Sequence, residues 1–432
     1  MISSEEYQKR RRLLTKMLPA GSVAIIGAAS EVLRNGDAHY RFRQDSNFYY
    51  LTGFSEPDSL LVLMANGESY LFSLPKDPAK ELWTGARLGQ DAAKQKFNLS
   101  EAFPLDMLNT ILPSLLIDKS AIYYVFSNQN TQSIIQMAVT NLKSQARRGQ
   151  NFISGYFDLE PIIGELRLFK SEAEIGLIQQ AVNITVLAHK RAMQVARRKT
   201  FEYELEAELI YEFYRHGARY TAYDSIVAAG SSACTLHYTD NNQALNKGDL
   251  VLIDAGAEYE NYAADITRTF PVTGHFSDEQ RKLYQLVLDS QQAAIACIKP
   301  GIAFGEIQAT IVKYLTEGLW ELGILKGNLE DLIQNKAYIP FYMHNSGHWL
   351  GLDVHDSGKY TENSKSRLLE ENMVLTVEPG LYISESISKI DKRWLGIGIR
   401  IEDDIVVTKD GCRVLSEALP SKLDEIEALM GE

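Results

Sequence analysis

The chain has 432 residues, more than one typical hydrophobic core organises, so its length predicts two or three domains. It carries 44 basic and 56 acidic side chains, for a formal charge of −12. This acidic balance argues against nucleic-acid binding, which needs basic side chains to release phosphate counterions. The 3 cysteines lie far apart and form no C-x-x-C pair, which argues against a disulfide framework and against a thiolate zinc site.

The N-terminal segment predicts an amphipathic helix and not an export signal. A basic run at residues 9–12 precedes Leu13 and Leu14, but Lys16 and Pro19 interrupt the apolar stretch. We interpret the basic run as a solvated helix face. No stretch approaches the roughly 18 uninterrupted apolar residues of a membrane span, so we expect a cytoplasmic protein with no membrane partner.

The first part of the chain alternates strand-like runs with helical patterns. The strand-like runs lie at residues 22–26, 59–64, 69–72 and 121–125. Such alternation is typical of an α/β domain. Ser171 and Glu174 then form a capping box that begins a new helix. We therefore predict an N-terminal α/β domain over residues 1–170 and a second domain over residues 171–432.

The second domain has a different pattern, which predicts an α+β fold. Long helices are predicted at residues 171–197, 277–299 and 304–322, and strands at residues 250–255, 263–270, 373–377 and 397–407. Two of these strands echo each other faintly, because each delivers a carboxylate two residues before a glycine. These carboxylates are Asp254 and Glu378.

Asp254 ends one apolar strand, and Asp265 lies in the next predicted strand. Alone, each is most simply a turn-former or a helix cap. If the hairpin turns at Tyr259 and Glu260, however, the two aspartates lie directly opposite each other, with Cβ atoms roughly 5 Å apart. Carboxylates this close repel each other unless a proton or a cation lies between them.

A second pair of carboxylates lies near the C-terminus. Glu378 closes an apolar strand, and Glu402 stands among apolar residues in another. Buried carboxylates are rare without a partner. Arg400 lies two residues from Glu402 on the same strand face, but one guanidinium neutralises one carboxylate and not four.

Histidines supply a further component of this predicted site. His344, His348 and His355 fall within twelve residues among glycines and apolar positions, and His237 is a weaker fourth candidate. A lone histidine there is more often structural, whereas three favour ligation or proton transfer. Four carboxylates with one imidazole balance two divalent cations. Oxygen-dominated ligation favours Mn²⁺, with Co²⁺ or Zn²⁺ as alternatives.

These motifs, in this order, resemble those of the pita-bread metallopeptidases, and within them the bacterial Xaa-Pro aminopeptidases. The motifs that carry the resemblance are 253–256, 265–270, 348–351, 378–380 and 400–403, together with 42–54 in the first domain. The resemblance covers nearly the whole chain. It implies a pita-bread catalytic domain preceded by a creatinase-like N-terminal domain that serves oligomerisation and closes the site.

The resemblance implies a role for each candidate residue. Asp254 binds one metal, Asp265 and Glu402 bridge both, and His348 and Glu378 hold the second. His237, His344, His355, Arg400 and Tyr382 are implied on the substrate side, near the pocket for proline. Trp83 and Asp37 match positions that close the site from a neighbouring subunit, which implies a homo-oligomer, a dimer or a tetramer.

The implied substrate is a peptide with proline in second position. The Xaa-Pro bond is a tertiary amide without an N–H, so a peptidase that clamps an extended backbone does not seat it. We hypothesise that a hydroxide bridging the metals attacks the carbonyl carbon before proline, that His355 stabilises the oxyanion, and that Glu378 shuttles a proton to the proline nitrogen.

Other members of the fold are the competing interpretations. A prolidase cleaves only Xaa-Pro dipeptides, and a methionine aminopeptidase lacks the long first domain. A non-catalytic pita-bread binding protein lacks some of the ligands, and a creatinase-like hydrolase needs no metal. The presence of all five ligand motifs argues against the last two.

Overall fold

A computed structural model describes residues 2–145 and 152–431 of the chain. The chain forms two compact units, Met1–Arg167 and Leu168–Glu432. The sequence places the boundary after residue 170, whereas the second unit of the structure begins at Leu168. Among the described residues, no helix is both long enough and apolar enough to cross a membrane.

The first unit is built on a mixed six-stranded sheet. The unit as a whole contains eight strands among its described residues. They are β1 (Ser22–Gly27), β2 (Leu33–Asn35), β3 (Ala38–His39), β4 (Leu60–Met64), β5 (Ser69–Ser73), β6 (Glu101–Pro104), β7 (Ala121–Tyr124) and β8 (Gly155–Asp158). The sheet order is β6-β5-β4-β1-β7-β8, and β2 and β3 form a separate hairpin. β1, β4 and β7 are buried along their whole length, as the predicted apolar runs require.

Helices accompany this sheet. They are α1 (Ser4–Met17), α2 (Ser46–Thr52), α3 (Pro78–Thr84), α4 (Gln90–Lys96), α5 (Leu108–Leu115), α6 (Gln129–Gln145) and α7 (Glu160–Leu168). Side chains of β1, β4, α5 and α6 share one apolar core, which includes Val23, Val62, Leu112 and Ile135. This unit therefore has the predicted α/β composition.

Only half of the basic run in α1 is the solvated face that the sequence suggested, because Lys9 and Arg12 are exposed but Arg10 and Arg11 are buried. Arg10 and Arg11 are each 3% exposed. Arg10 donates to the carbonyl of Tyr50 at 3.1 Å, and Arg11 donates to the carbonyl of Leu51 at 2.9 Å. The guanidinium groups thus satisfy carbonyls near the C-terminal end of α2, where such acceptors lack partners inside the helix.

The second unit combines long helices with several small sheets. Its helices are α8 (Glu172–Val195), α9 (Glu202–Arg215), α10 (Asp278–Cys297), α11 (Gly305–Glu321), α12 (Leu329–Gln334) and α13 (Leu423–Gly431). Its strands are β9 (Tyr220–Thr221), β10 (Ile226–Ala229), β11 (Leu250–Ala255), β12 (Ala257–Tyr259), β13 (Tyr262–Ala263), β14 (Ile266–Pro271), β15 (Thr361–Glu362), β16 (Lys365–Ser366), β17 (Val374–Val377), β18 (Gly380–Ile383), β19 (Ile397–Arg400), β20 (Asp403–Val407) and β21 (Cys412–Val414).

The helices lie where the capping signals predicted them. Ser171 and Ser277 both form complete capping boxes, at the N-termini of α8 and α10. α8 packs on α9 and on β12 and β13, while α10 packs on α11. The small sheets, β10-β11-β14, β9-β12-β13, β17-β20-β21 and β18-β19, thereby gain a rigid helical support.

A buried ion pair fixes the start of the second unit. Lys170 Nζ lies 3.0 Å from Asp356 Oδ2, and both side chains are only 1% exposed. The backbone N–H of Lys170 also donates to the carbonyl of Asn372 at 2.9 Å. Removing one partner of such a pair is costly, because the remaining charge stays buried without compensation.

We expect Lys170→Met to lower the free energy of unfolding by about 3–5 kcal/mol, because the buried Asp356 carboxylate loses the ammonium group that lies 3.0 Å from its Oδ2. The double variant K170M/D356N, which is neutral at both positions, should recover much of this loss. Urea unfolding of the metal-free protein measures both variants. A double variant no more stable than K170M would contradict this explanation.

Candidate metal centre

The first pair of carboxylates lies on one continuous antiparallel ladder. β11 pairs with β14 so that Asp254 stands opposite Thr267. The ladder continues through β12 and β13 to a turn at Glu260 and Asn261, which both have positive φ. The predicted pairing of Asp254 with Asp265 is therefore wrong. The turn lies one residue later than predicted, and this shifts the pairing by two.

This shift keeps both carboxylates on the same side of the ladder. Side chains alternate between faces with a period of two, so Asp265 is a diagonal neighbour of Asp254 and not its opposite. The predicted strand at 263–270 is interrupted, and Asp265 lies in the gap between β13 and β14. Its backbone N–H donates to Asp404 Oδ2 at 3.0 Å, which fixes the irregular backbone at this point.

Tyr223 joins the two aspartates, and the sequence analysis missed it. Its hydroxyl oxygen lies 2.6 Å from Asp254 Oδ1 and 2.5 Å from Asp265 Oδ1. A phenol has one proton, so it donates to only one ionised carboxylate at a time. Burial, followed by the charges of the two aspartates, raises the pKa of Tyr223 well above its ordinary value. No spacing signal in the sequence connects Tyr223 to these aspartates.

The second pair of carboxylates also lies on paired strands, but its two members are directly opposite and not diagonal. β17 pairs with β20 and β18 pairs with β19 in one common register, and in that register position 378 faces position 402. Glu402 lies between β19 and β20 because it bridges to the first ladder. Its backbone N–H donates to the carbonyl of Thr267 at 3.0 Å, and its Oε2 accepts from Thr267 Oγ1 at 2.8 Å.

A glycine follows each of the two strand-ending carboxylates for a steric reason. A Cβ on Gly256 would lie 1.7 Å from the carbonyl oxygen of Ala264, and one on Gly380 would lie 2.5 Å from the Tyr382 hydroxyl and 2.9 Å from the carbonyl oxygen of Ile399. The partner backbone leaves no room for a side chain at Gly256, and the Tyr382 side chain together with the partner backbone leaves none at Gly380. The faint echo in the sequence thus marks two close approaches that differ in their nearest atoms.

His348 completes the cluster. Its Nε2 lies 3.3 Å from Asp265 Oδ2 and 3.7 Å from Glu378 Oε1. Ligand atoms of Asp265, His348 and Glu402 all lie within 4.8 Å of one another. The backbone N–H of His348 donates to Thr376 Oγ1 at 3.2 Å, so β17 holds the histidine against the carboxylates.

The cluster carries more negative charge than the described side chains neutralise. Burial raises the pKa of Glu378 to about 8. Burial, together with neighbouring carboxylates, also raises the pKa values of Asp265 and Glu402. Arg400 contributes one compensating charge, through a 2.6 Å contact between its Nη2 and Asp254 Oδ2. These donors are oxygen-rich, buried and short of positive charge, so they fit divalent cations.

The cluster opens into a cavity of about 570 Å³, which contains the predicted substrate-side residues. His237, His344, His355 and Arg400 all line it, as do all five predicted metal ligands. Burial and the charge of Arg400 lower the pKa of His344 to about 4. Burial and the neighbouring His348 lower the pKa of His355. Both rings are therefore neutral near pH 7.

Tyr382 lies behind this wall of the cavity. Its hydroxyl lies 2.8 Å from His344 Nε2, and it accepts from Arg400 Nη1 at 3.0 Å. Tyr382 itself is 1% exposed. Tyr382 thus lies near the substrate pocket, as predicted, but it supports His344 and Arg400, which line the pocket.

Trp83 and Asp37 belong to the first unit and are not among the residues that line this cavity. Trp83 lies on α3 with an 86% exposed side chain, and Asp37 is exposed at the turn between β2 and β3. Their predicted site-closing role depends on a neighbouring subunit.

Comparisons with known proteins agree with this geometry. A model of metallopeptidase family M24 matches residues 176–409, and a model of the aminopeptidase P N-terminal domain matches residues 7–123. The chain is 44% identical to an Xaa-Pro aminopeptidase of Escherichia coli, over 99% of this chain and 98% of that protein. It is 45% identical to an Xaa-Pro aminopeptidase of Haemophilus influenzae, with the same coverage.

The structural comparison gives the same result. The fold matches solved structures of Escherichia coli aminopeptidase P, one with the inhibitor Pro-Leu and one zinc-substituted with product. Each match has a TM-score of 0.96 at 44% identity and covers 100% of this chain and 98% of the other. The predicted fold class, an α/β domain followed by an α+β pita-bread domain, is confirmed. The chain belongs to metallopeptidase family M24, and within that family to the Xaa-Pro aminopeptidases.

Proposed function

We propose that this metallo-aminopeptidase removes the N-terminal residue from peptides that have proline in second position. One observation carries the proposal: a single cavity combines the five predicted metal ligands with three histidines and Arg400. The comparison proteins named Xaa-Pro aminopeptidase support the same substrate class. Prolidase action on Xaa-Pro dipeptides is the alternative, whereas a non-catalytic binding role is disfavoured because every predicted ligand is present.

In this proposal, two divalent cations are held by Asp254, Asp265, His348, Glu378 and Glu402. Mn²⁺ is the first choice for so oxygen-rich a donor set, with Co²⁺ and Zn²⁺ as the alternatives. When bound, the cations supply Lewis acidity, which lowers the pKa of water and polarises a substrate carbonyl.

The protein's own side chains orient the peptide and manage its protons. The proline nitrogen leaves as a secondary amine and needs a proton, which we assign to Glu378. Its Oε2 lies 3.5 Å from His344 Nδ1, which in the neutral ring carries the hydrogen because it donates to the carbonyl of Asn345 at 2.7 Å, so His344 orients the Glu378 carboxyl group and does not take its proton. His355 remains an N–H donor when neutral, and we assign it to the oxygen that gains charge at the scissile carbonyl.

The part of the cavity lined by His237, His344 and Arg400 suits a proline ring. His237 and His344 offer flat ring faces, and Arg400 is held rigidly by contacts with Asp254 and Tyr382. A rigid pocket selects a preformed ring without clamping an extended backbone N–H, which proline lacks.

We also propose that the protein is a cytoplasmic homo-oligomer, a dimer or a tetramer, in which Trp83 and Asp37 close the site of a neighbouring subunit. Leu82 and Trp83 support this proposal, because they are 82% and 86% exposed. Adjacent apolar side chains with such exposure are typical of a surface that a partner covers.

We expect metal-dependent cleavage of an Xaa-Pro-Xaa tripeptide, because the proposed function requires proline in second position of a longer peptide. The metal is removed, Mn²⁺, Co²⁺ or Zn²⁺ is added back separately, and product formation is compared for Xaa-Pro-Xaa, Xaa-Pro and Met-Ala-Xaa. Mn²⁺ should restore the highest rate with the tripeptide. Cleavage of the dipeptide alone identifies a prolidase, and no metal-dependent cleavage of any peptide excludes the proposal.

Asp265→Asn is expected to lower kcat by a factor of about 10³ or more while leaving the fold intact, because the amide has one neutral acceptor where two anionic oxygens were available. Asp289→Asn, on the exposed face of α10, is the matched control and should behave as wild type. Steady-state kinetics and circular dichroism measure activity and fold. Near-normal turnover by D265N would contradict the assigned ligand set.

Metal binding is expected to release protons near pH 7. The metal-free cluster retains protons, since the pKa of Glu378 is about 8 and that of His348, raised by Asp265 despite burial, is about 9. Metal affinity should therefore rise with pH towards these values. Isothermal titration calorimetry in buffers of different ionisation enthalpy counts the released protons, and Glu378→Gln should release fewer.

The same pKa shift of Glu378 predicts the stability of the metal-free protein. Its carboxyl has an ordinary pKa of 4.5 when exposed and about 8 in the folded cluster, so between these values the folded state binds more protons than the unfolded state. Below about pH 6.5 the lowered pKa of His344 acts in the opposite direction, because there the unfolded state binds the extra proton. The free energy of unfolding should therefore fall as pH rises from 7 to 8. A metal-free protein whose stability rises over that range, or calorimetry that detects no proton release, would contradict the assignment.

A further inference from the structure

A buried carboxylate outside the metal centre connects three points of the segment that carries His237. Glu202, the first residue of α9, is 0% exposed. Its Oε1 accepts from the backbone N–H of Ala229 at 2.7 Å, and its Oε2 accepts from the Tyr238 hydroxyl and the Gln243 N–H, both at 2.8 Å. Three donors and the helix N-terminus stabilise its charge.

These three donors mark out the segment 230–243. Ala229 ends β10 just before it, Tyr238 is the neighbour of His237, and Gln243 ends it. The backbone N–H of Glu202 also donates to the carbonyl of Gln243 at 3.0 Å, so the end of the segment is held by two hydrogen bonds. Asn241 independently fixes the C-terminal part of the segment to β10, because its Oδ1 accepts from the N–H of Val227 at 2.9 Å.

Apolar packing beside His237 also holds the segment in place. Leu236 and Tyr238, on either side of His237, pack against a buried cluster that contains Ile226, Leu252 and Tyr382. His237 itself is exposed and lines the cavity. An exposed imidazole on a loop keeps one position only if its neighbours are fixed, and Tyr238 is the neighbour with a polar anchor to a buried group.

We infer that Glu202, acting through the Tyr238 hydroxyl, is a positioning residue that holds His237 against the substrate. Neither Glu202 nor Tyr238 lines the cavity, and their action is transmitted through the backbone of the loop. The inference rests on the proposed function, since His237 is assigned there to the substrate side.

Tyr238→Phe tests this positioning role, because it removes one hydroxyl and preserves the ring that packs on the core. We expect kcat/KM for an Xaa-Pro-Xaa tripeptide to fall about 10-fold, the effect of losing one hydrogen bond to a charged group. In a His237→Ala background, the same change should alter kcat/KM less than about 2-fold, because the residue that it positions is gone. Glu202→Gln, which replaces one acceptor oxygen with a donor, should show a larger loss with the same dependence on His237.

Tyr262→Phe is the matched control. The Tyr262 hydroxyl donates to Glu174 Oε1 at 2.9 Å, which is also a buried tyrosine–glutamate hydrogen bond in the second unit. Any effect of Y262F should be the same in the wild-type and His237→Ala backgrounds. A purely structural role for Tyr238 predicts that Y238F is likewise additive with H237A, and that result would overturn the inference.

Crystal structures of Y238F and Y262F provide a readout that does not depend on activity. The His237 ring should move by about 0.5 Å or more in Y238F and stay in place in Y262F. An unmoved His237 in Y238F would overturn the inference whatever the activity. If the wild-type protein cleaves no Xaa-Pro peptide but His237 still moves, the proposed function fails and the positioning role stands.

Discussion

Repulsion among four carboxylates is the constraint on which the second unit depends. Asp254, Asp265, Glu378 and Glu402 face one cavity, and among the described residues only the guanidinium of Arg400 donates to one of their carboxylate groups, while that of Arg268 donates to the backbone carbonyl of Glu402. Buried like charges raise one another's pKa values and oppose folding unless protons or cations compensate. In the metal-free protein the four carboxylates therefore repel one another. Divalent cations relieve this repulsion, and this relief favours their binding.

The fold meets this constraint by building the same unit twice. In each half a carboxylate lies near the end of an apolar strand, a glycine follows two residues later, and the second carboxylate lies in the short gap between the two strands on the partner side. The Thr267–Glu402 bridge then joins the halves through two hydrogen bonds. Because backbone pairing sets these positions, the carboxylates remain close despite their repulsion.

The sequence predicted which carboxylates lie together, Asp254, Asp265, Glu378 and Glu402, because each stands in or beside an apolar strand where a carboxylate is unusual. It predicted the pairing less well. Glu260 and Asn261, both at positive φ, move the turn by one residue, and composition alone does not distinguish this turn from one at Tyr259 and Glu260. Tyr223 was missed because only tertiary contacts bring it to the aspartates. The burial of Arg10 and Arg11 was not predicted, because their hydrogen-bond acceptors are backbone carbonyls and the pattern of side chains along the sequence does not reveal such acceptors.

The buried Lys170–Asp356 pair shows that the residue at which the first helix of a domain begins is not always the first residue that the domain needs for stability. Ser171 begins α8 and suggests a natural place to divide the chain. A fragment beginning there, however, lacks Lys170, the buried cation that lies 3.0 Å from Oδ2 of Asp356, the residue that follows His355. An autonomous catalytic fragment therefore has to retain the short segment that precedes the helix, since this segment carries the counter-charge for a loop of the active site.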